Sequence, residues 1–143
     1  MRYFLSLLLL LVPLGALAQN DALSSIGQLT WKNRIILAWS NNPAPLKAAL
    51  VRARTEIDER DIVWFVINDT QVETNYAGPL APDFAQTTSH QFQKNSRQVL
   101  LIGKDGGIKN SDTELLLQSL FRDIDAMPMR QNEMRETRSS QKK

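Results

Sequence analysis

The chain has 143 residues, with 17 Lys and Arg against 15 Asp and Glu, one histidine and no cysteine. That length suits one domain with a sizeable core, and 43% hydrophobic with 22% charged residues is the balance of a folded globular protein. A net charge of +2, with basic and acidic residues interspersed, leaves no electrostatic footprint for nucleic acid, and the lack of cysteine excludes disulfides and thiol chemistry.

The first residues, MRYFLSLLLLLVPLGALAQ, combine Arg2, an apolar run from Phe4 to Val12 and the small-x-small triplet Ala16-Leu17-Ala18. They read as a signal peptide over residues 1–18, cleaved after Ala18, rather than as an uncleaved anchor, because the run is short for a bilayer span. The expected address is periplasmic or secreted, with no membrane span after signal cleavage. Residues 19–27 read as an N-terminal lead-in, 28–134 as the folded domain, and 135–143 as a disordered polar tail without an apolar residue.

Within the domain, Ile35 to Trp39 and Ile62 to Ile67 are apolar on both faces, the pattern of strands covered on both sides. Between them, Ser40-Asn41-Asn42 offer caps, and Leu46, Leu50, Ala53 and Ile57 form one stripe of a helix from Pro45 to Glu59. Asn68 to Leu80 reads as loop, and Pro82 to Gln93 as a helix with Phe84, Thr88 and Phe92 on one face. Val99 to Gly103 is a third buried strand. Lys104-Asp105-Gly106-Gly107 is a hairpin turn leading to a short return strand at Ile108, since Asp-Gly favours positive φ. Ser111 to Glu114 has the spacing of a capping box for a last helix, which Pro128 stops. The order βαβ, helix, β-hairpin, helix is a thioredoxin-like α/β arrangement. It predicts a central, mostly parallel sheet with a C-terminal β-hairpin and flanking helices.

Four stretches carry a family resemblance: Trp31-Lys32-Asn33-Arg34; Glu59-Arg60-Asp61; Leu101 to Lys109 (LIGKDGGIK); and Ile124 to Arg130 (IDAMPMR) with Glu133-Met134. Together they resemble the DUF4174 family over about Gln28 to Arg135. The resemblance implies a small secreted domain, similar in fold to thioredoxin and peroxiredoxin, with no established activity. Against the thioredoxin pattern, the position of the CxxC motif is filled by Ser40 to Leu46 (SNNPAPL). The position of the cis-proline falls near Arg97. Both halves of a thiol redox site are missing, and no cofactor is implied.

Three sets of residues are candidates for function. Four methionines less the initiator leave Met127, Met129 and Met134, all inside IDAMPMRQNEM. Thioethers suit Cu(I), so these form an alternative soft-metal site; the competing reading is that they pack the returning chain. A small-ligand site near the first helix start would have Asn41, Asn42 and Arg97 at its edge, with Lys104 and Arg130 as further ligand contacts. The charged set Arg34, Arg60, Asp61, Lys104, Asp105, Asp125, Arg130 and Glu133 borders strand ends. Within it, Asp125, Arg130 and Glu133 form a salt-bridged clasp around Pro128, or else the set serves an enzyme acting at the strand ends. His90, mid-helix and without a partner in view, reads as solvent-facing. The favoured reading is a non-redox binding or accessory module of the cell envelope, its partner an envelope protein or a small ligand.

Overall fold

The computed structural model describes residues 21–92 and 98–142. The expected signal segment 1–18, Gln19 and Asn20 of the lead-in, and Arg97 lie outside them. The described chain begins with a 3-10 turn, Ile26–Leu29, then runs β1 (Arg34–Trp39), α1 (Ala44–Arg52), α2 (Arg54–Asp58), β2 (Ile62–Asn68), β3 (Gln71–Thr74), α3 (Phe84–Gln91), β4 (Val99–Ile102), β5 (Ile108–Asp112), α4 (Leu117–Asp125) and α5 (Pro128–Ser140). No described helix is long and apolar enough to cross a membrane.

The five strands form one sheet in the order β3-β2-β1-β4-β5. Only β1 and β2 are parallel; β1 with β4, β2 with β3 and β4 with β5 are antiparallel. The sheet is therefore mostly antiparallel, where the sequence pattern suggested mostly parallel. The cause is connectivity: one helical crossover makes one parallel pair, and every other neighbour is met by a hairpin or by a strand arriving from the far end.

Both faces of the sheet are covered, as the doubly apolar strands require. Ile35, Leu37 and Trp39 point with Phe65 and Leu100 toward the N-terminal segment and α3. Ile36 and Ala38 point with Trp64 and Leu101 toward Leu50 and Ile57 of α1 and α2 and Leu120, Phe121 and Ile124 of α4. The buried Trp39 indole N–H donates to Ser89 Oγ at 2.9 Å, so the core leaves that donor satisfied.

Local details depart from the sequence reading in four places. The Pro45–Glu59 helix is two helices that meet at Ala53, although its stripe still packs on the core. Gln71–Thr74, read as loop, is an edge strand reached through Asp69, whose φ of 50° suits a tight turn. Ser111 and Asp112 pair with Leu100 and Val99, so strand pairing replaces the expected capping box and α4 starts later, at Leu117. Pro128 does not only stop a helix. It starts α5, which carries the expected polar tail in helical form through Ser140.

Candidate functional site

Alternation along β1 puts Arg34 on the same face as Ile36 and Ala38, at a position where the rest of the strand is core. Arg34 is 1% exposed. A buried guanidinium needs a partner, and it finds one far along the chain. Its Nη1 and Nη2 donate to Glu133 Oε2 and Oε1, each at 3.2 Å, and Nη1 also donates to Arg60 O at 2.9 Å. Lys104 Nζ adds donors to Glu133 Oε1 and to Asp61 Oδ2, both at 2.8 Å.

A second arm of the same network is centred on Asp125 at the end of α4. Arg60 donates to it from Nε and Nη2, at 3.0 and 2.8 Å, and its guanidinium lies 4.8 Å from the Phe121 ring centroid. Arg130 reaches Asp125 and Glu133, both at 3.5 Å, and joins the two arms across the turn that holds Pro128. Gln131 Nε2 caps the Asp125 carbonyl. The expected clasp of Asp125, Arg130 and Glu133 around Pro128 is present, and it is larger than three residues. Asp105 joins neither arm and is paired with Lys109 at 2.7 Å inside the hairpin turn.

Topology explains the meeting. Arg34 opens β1, Arg60 and Asp61 precede β2, and Lys104 follows β4, which runs antiparallel to β1 with Ile35 opposite Ile102. All three lie at the same end of these central strands, where α4 ends and α5 begins. The four stretches that carry the family resemblance thus converge on one cluster.

The charges settle one another's protonation. Burial pushes the Glu133 carboxyl up, but the hydrogen bonds and charges of Lys104 and Arg34 outweigh it and hold the group below its ordinary value. Asp125 behaves likewise, burial opposing and Arg60 and Arg130 prevailing. Burial lowers the Lys104 ammonium, yet Asp61 and Glu133 raise it overall. All three groups are charged across the physiological range.

Beside the cluster lies a groove of about 430 Å³, lined by Arg34, Gly103, Lys104, Asp105 and Lys109 and by Met127, Pro128 and Met129; the Asp105 carboxylate there is paired with Lys109. Met127 packs partly against the core, Met129 is 39% exposed, and Met134 lies outside the groove lining. The three thioethers are not gathered in it. Next to the groove, Trp31 is 68% exposed with φ of 66°, its backbone N–H donating to Lys104 O at 2.6 Å. A tryptophan in the left-handed region is strained, and strain of this kind gathers at binding sites.

The other expected ligand contacts fall elsewhere. Asn41 and Asn42 follow β1 at its opposite end, roughly 16 Å from Arg34 by strand rise. Both are exposed, and neither caps α1, whose N-cap is Pro43. Ser40 instead closes a local turn with Asn42. A groove of about 340 Å³ there is lined by Trp39, Ser40, Pro45 and Leu46 among others, all uncharged but for Glu114. Lys104 and Arg130 therefore share one ion-pair cluster, and Asn41 and Asn42 do not join it. His90 is exposed on α3, as expected. Trp31 was missed, although a bulky residue just before a β-strand was visible in the sequence.

Residues 25–133 match the family described as "Domain of unknown function (DUF4174)", and the chain belongs to that family. No curated protein and no solved structure matches it.

Proposed function

We propose that this member of the DUF4174 family is an exported binding module of the cell envelope, built on a thioredoxin-like frame without thiol chemistry. The observation that carries the reading is the groove at the convergence of the four family stretches. It has an apolar floor of Met127, Pro128 and Met129, a charged rim whose members neutralise one another, and the strained, exposed Trp31 at its side. Ile108, which follows the same hairpin turn, is 54% exposed, so three of the five large exposed apolar side chains among the described residues gather at this end. Such a surface binds; its ionised groups are committed to ion pairs rather than left free as acids or bases.

The thioredoxin-like frame is supported by the order β2-β1-β4-β5, with β1 and β2 parallel and the last two antiparallel, and by a helix following β1. Export is supported by the signal-like residues 1–18. The test is expression of the full chain in a Gram-negative host. The mature protein is expected in the periplasmic fraction beginning at Gln19, and, immobilised, it should retain a specific envelope component that Trp31→Ala and Met129→Glu variants lose. Retention in the cytoplasm, or equal recovery by the variants, would overturn the reading.

A further inference from the structure

We infer that Arg34 and Lys104 form a binding site for a carboxylate carried on an apolar chain, and that Glu133 of α5 occupies this site as an internal stand-in. The inference deepens the binding-module reading and rests on it. Three observations support it independently.

The receptor half is built into the sheet. Arg34 is 1% exposed and is oriented by its bond to Arg60 O, which turns two terminal nitrogens toward one carboxylate at 3.2 Å each. Lys104 supplies a third donor at 2.8 Å. A planar fork with an added ammonium is the geometry of carboxylate recognition. The occupant half is different in kind. Glu133 comes from α5, which has no buried residue and is held by Arg130 and Gln131 on Asp125.

The fork also has capacity that Glu133 does not use. Arg34 Nε is buried and has no hydrogen-bond partner among the described residues. A buried donor of this kind is uncommon and costs stability unless a ligand uses it.

The groove supplies room for the rest of the ligand. At about 430 Å³ it lies within the range of small-molecule sites, about 300–1,000 Å³. A ligand lying in it places an apolar tail on Met127, Pro128 and Met129 and its carboxylate on Arg34 and Lys104. Exchanging one carboxylate for another keeps the buried guanidinium paired, so Glu133 leaves without stranding a charge. Tethered Glu133 competes at an effective concentration on the order of millimolar. The apolar tail is what lets a free carboxylate win.

The experiment uses sodium octanoate as probe, with sodium acetate as the control lacking a tail and 1-octanol as the control lacking a charge. Protein from the full chain is titrated and followed by the Arg34 Nε–H and methionine methyl NMR signals. Octanoate should give saturable shifts at Arg34 and at Met127 and Met129, while acetate and octanol do not. Removing the stand-in by Glu133→Ala should tighten octanoate at least tenfold, and octanoate should restore part of the melting temperature the variant loses. Glu133→Gln, which keeps the side-chain volume, reads the same gain if the alanine variant does not fold. Lys104→Met should weaken octanoate in either background. Equal shifts with octanol, no shift at Arg34, or unchanged affinity after loss of the Glu133 charge would overturn the inference. If the envelope component is still retained while octanoate fails, the ligand class is wrong and the binding-module reading stands apart from it.

Discussion

Arg34 and Glu133 stand 99 residues apart in sequence and meet through two hydrogen bonds of 3.2 Å. The pair joins the first residue of the central strand to the last helix. It turns a buried cation, which is costly alone, into the point where the chain closes on itself.

If Glu133 and Met127 are what the chain after α4 contributes, truncations should separate them from the rest of α5. Ending the chain after Ala126 removes the carboxylate and a partly buried methionine, and should cost about 3–5 kcal/mol. Ending it after Arg135 removes residues 136–143, of which 136–142 are all exposed, and should cost less than about 0.5 kcal/mol. Urea unfolding of the two truncated proteins distinguishes these losses, and equal costs would contradict the assignment.

Acid should loosen the clasp in a defined window. Glu133 and Asp125 have lowered folded values, so their contribution is complete above their ordinary values of 4.5 and 3.8 and is lost as pH falls through the folded ones. Lys104 is raised, so its contribution is complete below 10.5 and is lost as pH rises through its folded value. Stability should therefore fall below about pH 4.5, and less steeply in Glu133→Gln than in the wild type. Superimposable acid limbs would rule out Glu133 as a contributor.

Trp31 trades backbone comfort for exposure. Glycine tolerates φ of 66°, so Trp31→Gly relieves strain of about 1–2 kcal/mol and gives back about 0.5–1 in unfolded-chain entropy. The variant should be as stable as the wild type or slightly more so, yet lose the envelope component. A clear fall in melting temperature would mean that the indole packs on the domain.

The methionines should behave as packing and lining residues. With methyl-labelled methionine and Ag(I) as a mimic of Cu(I), Met127, Met129 and Met134 should give dispersed signals that ignore the metal. Three signals moving together and saturating at one equivalent would instead establish a soft-metal site.

How much of this was readable in the sequence varied with the physics of each element. Strands β1, β2 and β4 were plain because burial on both faces leaves an unbroken apolar run, as in Ile35 to Trp39. The turn at Gly106, with φ of 82°, was plain because Asp-Gly announces it. Edge strand β3 was hidden because it has one apolar residue, Val72, and gains its order from pairing with β2. Helix α5 was hidden because it lacks an apolar stripe and is held by ion pairs, which leave no periodic trace. The charged set was legible as a set, including the clasp at Asp125, Arg130 and Glu133. Its meeting place was not. The thioredoxin pattern, with its motif at the first helix start, points instead to Asn41 and Asn42. The antiparallel arrival of β4 carries Lys104 to the opposite end of β1, beside Arg34.

The most direct test of the account is a double-mutant cycle on Arg34→Met and Glu133→Ala, measured by urea unfolding. Removing Glu133 alone strands the buried guanidinium and should cost about 3 kcal/mol. Removing both partners should cost well under the sum of the single losses, with a coupling energy of about 2 kcal/mol or more. Additivity within about 0.5 kcal/mol would contradict the claim that this pair closes the fold.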